Sequence, residues 1–128
     1  MSTASAQRTM DRYFQLMGRG DDIAACYSAD ATWVIADTGE VVQGAVAVRD
    51  YVIALHASRA DWHTHTYVVA DGHAYLEGDC AAADAQHDVR TRYCVAYDIA
   101  DDLISAMRCY GFGGPAAAGE SQPSAAEG

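Results

Sequence analysis

From Ala4 to Arg19 the apolar positions Met10, Tyr13, Phe14, Leu16 and Met17 recur at three- and four-residue spacing, which predicts an amphipathic helix. Gly18 and Gly20 close it, glycine being favoured just past a helix end. Asp21 or Asp22 is placed to cap a short second helix running to Tyr27. Thr32 to Asp37 is a short strand rich in β-formers; Asp37-Thr38-Gly39-Glu40 is the turn after it and Val41-Val42 a brief return. After Gly44 a third helix runs to about Ser58, with Val48, Tyr51, Val52 and Leu55 on one face. Strands over Trp62–Ala70, His73–Ala83 and Val89–Ile99 follow, and Leu103–Phe112 is the last. Helices ahead of an antiparallel meander predict an α+β domain with the sheet wrapped over the helices.

The hairpin at Asp71-Gly72 sets a register. Asp-Gly favours a two-residue type I′ turn, which pairs Ala70 with His73 and, counting outward, Val69 with Ala74 and Tyr67 with Leu76. The same count pairs His65 with Gly78 and His63 with Cys80. The set Ala74, Leu76, Cys80 and Ala82 is apolar and belongs on the core side, whereas His73, Tyr75, Glu77 and Asp79 belong outside. His63, His65 and Tyr67 are then expected inward, with Trp62, Thr64 and Thr66 outward. Two inward histidines on one strand are the first sign of chemistry.

Composition narrows the classes. The 128 residues support one domain, and 51% hydrophobic content suffices for one core. The folded domain is expected over residues 1–112, and the Gly/Ala/Ser/Glu/Pro-rich stretch 113–128 reads as a disordered tail. All eight basic residues are arginine, so a Schiff-base or phosphate-loop lysine is excluded. A net charge of −10 argues against nucleic acid and against an anionic membrane surface as partners. No signal pattern and no apolar run of 18 residues occur, which reads as a cytoplasmic protein. Cys26, Cys80, Cys94 and Cys109 form no C-x-x-C pair and are expected as reduced, mostly buried thiols without zinc.

Arg12-Tyr13-Phe14-Gln15-Leu16, with Gly20-Asp21 following, resembles the first helix of ketosteroid isomerases. Ala29-Asp30-Ala31-Thr32-Trp33 followed by Gly44 is similar to a stretch shared by those isomerases and the SnoaL-like polyketide cyclases, and Ile104-Ser105-Ala106-Met107-Arg108 resembles their last strand. The chain thus resembles the NTF2-like superfamily over about residues 5–112. The resemblance implies a cone of three N-terminal helices in a strongly curved antiparallel sheet, with an apolar pocket between them, and a homodimer. It also implies that Tyr13 is an oxyanion-hole donor, and it places a second donor near Tyr93, a donor pair of the kind ketosteroid isomerases use. The isomerases' general-base aspartate falls on Ile35, which cannot take a proton. Dehydratases of the superfamily place a histidine on the strand after the third helix, where His65 stands.

Other groups compete for the base. Asp37 shares the strand face of Ile35 and is either a carboxylate raised by apolar neighbours or a turn residue. His65, with His63 beside it, is the better acid–base candidate, since histidine as a residue type works in either direction near neutral pH. His63, His65 and Asp37 could form a two-histidine, one-carboxylate metal site, but the superfamily usually works without metal and none is expected. His56 ends a helix, His73 and His87 fall at turns or loops, and these three are assigned no chemistry. Arg90 and Arg92 are expected outward, as a solvated face or subunit contact. Met17, Trp33, Ile35, Tyr51, Leu55, Tyr67, Met107 and Cys109 are expected to line the pocket around a hydrophobic small molecule. The sequence therefore suggests a cofactor-independent acid–base enzyme, a cyclase, isomerase or dehydratase acting on a polyketide- or terpenoid-like compound in biosynthesis. The alternatives are a non-catalytic ligand-binding or dimerisation module, or a pericyclase-like pocket that only shapes its substrate.

Overall fold

The computed structural model describes residues 2–83 and 90–112; the expected tail at 113–128 and the position of His87 lie outside them. Helix α1 (Thr3–Gly18) starts at a capping box in which Ser2 accepts from Ser5 N, and it buries Ala6, Thr9, Met10 and Tyr13 on one face. Strand β1 (Tyr27–Ile35) and the short β2 (Glu40–Gln43) lead to helix α2 (Ala45–Ala57). Strands β3 (Arg59–Ala70), β4 (His73–Ala82), β5 (Arg90–Ala100) and β6 (Leu103–Tyr110) follow as a meander.

The order across the six-stranded sheet is β2-β1-β6-β5-β4-β3; only the β1–β6 pair is parallel. The core lies between the inner face of this curved sheet and the two helices, and includes Met10, Ile23, Val48, Ile104 and Met107. Cys26, Cys80 and Cys109 are free and buried in it, and Cys94 is half-buried. No described helix is long and apolar enough to cross a membrane.

Two expectations need correction here. The described residues hold two α-helices, not three N-terminal ones, and α2 comes after two strands. The predicted second helix is a single 3-10 turn, Ile23–Cys26, capped by Asp22 through Ala24 N at 2.9 Å. It stops there because Tyr27 is claimed by the sheet, opposite Ile104, so too few residues remain for an α-helix. The second correction concerns the hairpin. Its two-residue loop pairs Ala70 with His73, Val69 with Ala74 and Tyr67 with Leu76, as expected. Only Gly72 takes positive φ, at 76°, so the turn is not type I′.

Beyond Tyr67 the register slips. Thr66 pairs with Glu77 but Thr64 with Gly78, so His65 is an extra residue, a β-bulge. One inserted residue exchanges the faces of the residues before it, as far back as the next irregularity. His63 lands opposite Asp79 on the outer face, while Trp62 and Thr64 turn inward, the reverse of the expectation. A second irregularity between Ala60 and His63 takes Asp61 to a φ of 56°. Gly78 makes room for the first bulge: a Cβ there would sit 2.3 Å from His63 O.

Candidate functional site

A partly open cavity of about 160 Å³ lies between the inner sheet face and the helices, with the lining residues His56 and Thr64 exposed. Helix α1 supplies Tyr13, Phe14 and Met17, and α2 supplies Val52, Leu55 and His56, each set at helical spacing. The sheet contributes Trp33, Trp62, Thr64, Leu76, Tyr93, Val95 and Tyr97, and Phe112 closes one side. The described lining carries no carboxylate and no arginine. Its polar groups are tyrosine and threonine hydroxyls, two indoles and one imidazole.

The Tyr13 hydroxyl is hydrogen-bonded to that of Tyr27 at 2.7 Å, with the rings edge to face. Burial pushes the Tyr13 hydroxyl well up, and the neighbouring Tyr27 and Tyr97 add to it. Tyr93 is pushed up to about 12, chiefly by burial, and Tyr97 also upward. These hydroxyls therefore stay protonated at neutral pH and can donate to an oxygen in the cavity. Tyr93 stacks on Phe112 at 4.7 Å, edge-on to Trp62. Trp33 packs against Tyr51 at 5.6 Å, and its buried Nε1 makes no hydrogen bond. The His56 ring lies flat on Trp62, 4.6 Å between centroids and 19° between planes. Burial lowers its pKa, which favours the neutral imidazole.

The expected site residues separate. Tyr13, Tyr93, Met17, Trp33 and Leu55 line the cavity. Ile35, Met107 and Cys109 are buried in the core beside it without lining it. Tyr51 stands behind Trp33, and Tyr67, half-exposed, covers Phe14 edge-on at 5.6 Å. Asp37 is at the β1–β2 turn, where its Oδ1 accepts from Gly111 N at 2.8 Å. His63 and His65 lie on the outer face. His65 Nε2 bonds Asp79, whose other oxygen takes Arg90 Nε at 2.7 Å, and Arg90 continues to Asp61 at 2.7 Å. His65 first and Arg90 second draw Asp79 down to about 2. Tyr13, Asp37 and His65 thus do not meet, and the described residues hold no group of three or more His, Cys, Asp or Glu able to bind a metal ion.

A groove of about 610 Å³ also runs along the outer face past His65, Glu77, Arg92 and Tyr110. It is larger but open to water. The inner cavity, less open and walled by three tyrosines among other aromatic rings, is the better-shaped site for a small molecule. His56, Trp62, Thr64, Tyr97 and Phe112 belong to it and were missed from the sequence. For His56 a signal was present: it stands one residue past Leu55 and four past Val52, on the side of α2 that meets the cavity, although the residue itself is exposed.

The SnoaL-like domain family matches residues 10–107, most of the chain. The protein belongs to this family. No curated protein matches the sequence. Among solved structures this SnoaL-like domain is similar to a steroid delta-isomerase from Pseudomonas aeruginosa, at 16% identity and a TM-score of 0.71 over 84% of this chain and 79% of that one. It is also similar to an NTF2-like protein of unknown function from Cytophaga hutchinsonii, at 21% identity and 0.64 over 82% and 97%. A de novo designed protein with a curved β-sheet matches at 13% identity and 0.69 over 87% and 88%. The SnoaL-like fold is therefore shared by an enzyme and by a protein designed from nothing, so activity has to be argued from the cavity.

Proposed function

We propose that the protein is a cofactor-independent enzyme moving a proton on a hydrophobic carbonyl compound held in the inner cavity. The isomerase, cyclase and dehydratase reactions share this step. The observation that carries the reading is the row of buried, protonated hydroxyls, Tyr13 braced by Tyr27 with Tyr93 and Tyr97 nearby, facing an otherwise uncharged space. A ketone oxygen seated among them accepts a hydrogen bond that strengthens as the adjacent carbon loses its proton and charge develops on oxygen. Donors fixed in place stabilise that charge without reorganising, so the chemistry needs no cofactor.

Size supports a compact polycyclic ligand of polyketide or terpenoid type. A second cavity of about 230 Å³ adjoins the first, sharing Met17, Val52 and His56 as walls. Either alone falls short of the roughly 300 Å³ of an ordinary ligand pocket, and joined they reach it. The lack of a carboxylate in the described lining favours a second reading, a binding module that holds such a compound unchanged. The test is deuterium exchange at the acidic carbon of 2-tetralone in D2O, followed by NMR. Exchange above the buffer rate, reduced in Tyr13→Phe, supports the enzyme. Binding of the ketone without accelerated exchange supports the module.

A further inference from the structure

The cavity's donors raise a question of where the proton goes. A tyrosine held protonated by burial is a poor acceptor at neutral pH, and threonine and indole are worse. Asp37 is occupied at its turn, and His63 and His65 are on the far side of the sheet. One described lining group accepts a proton near neutrality, and it is the histidine at the end of α2.

We propose that His56 is the proton-transfer residue of the inner cavity, a role that rests on the acid–base function proposed above. It walls both cavities, so a ligand spanning them passes against its ring. Trp62 fixes the plane of that ring by stacking, which leaves the imidazole edge and its nitrogens free to meet the ligand. The step is balanced without a co-reactant. The unprotonated ring nitrogen takes the proton from carbon next to the carbonyl, the C–H electron pair moves into the enolate, and a tyrosine hydroxyl holds the oxygen. The imidazolium then returns the proton to the same carbon, to the far end of the conjugated system, or to a departing hydroxyl.

The surroundings of His56 suit a base. Partial desolvation is what lowers its pKa, and the residue also keeps an exposed surface toward water. From the turn after α1 the second cavity receives Asp21, half exposed and already paired with Arg19 at 3.1 Å. Tyr13 from α1 and Tyr93 from β5 share the first cavity, both held neutral. Within the cavities Asp21 is thus the sole formal charge facing the ring from the described residues, and Arg19 offsets it.

The experiment is 2-tetralone exchange from pH 5 to 9 in wild type, His56→Phe and His56→Ala. Phenylalanine keeps a ring on Trp62 and removes both nitrogens. The expected result is a loss of about 100-fold or more in exchange with ketone binding retained. The wild-type rate should fall on the acidic side as His56 protonates, and that limb should vanish in both variants. Added imidazole should restore exchange in His56→Ala. Wild-type exchange in His56→Phe overturns the assignment to His56 and leaves the enzyme reading intact. Absence of rescue in a His56→Ala protein that still binds the ketone also overturns it. No exchange above buffer in wild type removes the enzyme reading and the role of His56 together.

Discussion

The two faces of one sheet at the β3 edge are built on opposite principles. Inside, Trp62, Thr64, Tyr93 and Tyr97 form an uncharged aromatic wall whose polar groups are neutral donors. Outside, a few ångströms of backbone away, Asp61, Asp79 and Arg90 form ion pairs that His63 and His65 extend by polar contacts, in contact with water. What separates them is one residue. Without the bulge at His65, strand alternation would carry both histidines inward and Trp62 and Thr64 outward, exchanging the chemistry of the two faces. A hydrogen bond among the less solvated groups inside is electrostatically stronger than one among the groups outside, which water and salt screen.

The strongest way to break this contrast is to remove the space that lets the bulge exist. Gly78→Ala puts a Cβ 2.3 Å from His63 O, a backbone atom with no free rotor to move, and 3.0 Å from the Tyr93 hydroxyl. We expect a loss of about 3 kcal/mol in urea unfolding, the upper end of overpacking costs. Ketone binding should be lost with it, because the Trp62 and Thr64 wall depends on the same register. A Gly78→Ala protein with unchanged stability would mean that β3 does not bulge at His65.

A smaller effect is expected inside. Tyr13→Phe removes one partner of a buried hydroxyl pair and leaves Tyr27 unpartnered, at a cost of about 1–2 kcal/mol. Tyr13→Phe combined with Tyr27→Phe removes the orphan, so the double variant should be no less stable than the single one while exchange stays low. Additive losses would show that the pair is not coupled.

Much of the architecture was legible because it rests on local signals. The helical spacing around Met10 and Tyr13, the β-rich run at Trp33, the Asp71-Gly72 loop and the meander after α2 are all written in neighbouring residues. The short 3-10 turn was overestimated as a helix because nothing local shows that Tyr27 belongs to a strand paired with Ile104, 77 positions away. The site was less legible for a single physical reason. Hairpin counting assumes strict alternation, and alternation held for Tyr67 but failed at His65, where the compensating signal is a glycine on the other strand. His56 reads from the sequence as a helix-end residue without chemistry, although its spacing from Leu55 and Val52 already turns it toward the cavity.

The outer face should respond least, and in a different variable. Asp79 titrates at about 2 in the folded protein, below the roughly 4 of an unfolded aspartate, drawn down by His65 and Arg90. Its contribution is therefore fully present above about pH 4 and is lost as the pH falls through that window toward about 2. Asp79→Asn should be somewhat less stable than wild type near neutrality, and the gap should close below pH 4. High salt should narrow the gap at neutral pH as well, since Asp61 and both histidines reach water. Ketone exchange should not change, because nothing in the ionic chain lines the cavity. A gap independent of pH and salt would mean that Asp79 acts through packing, and a change in exchange would mean that the two faces are coupled across the sheet.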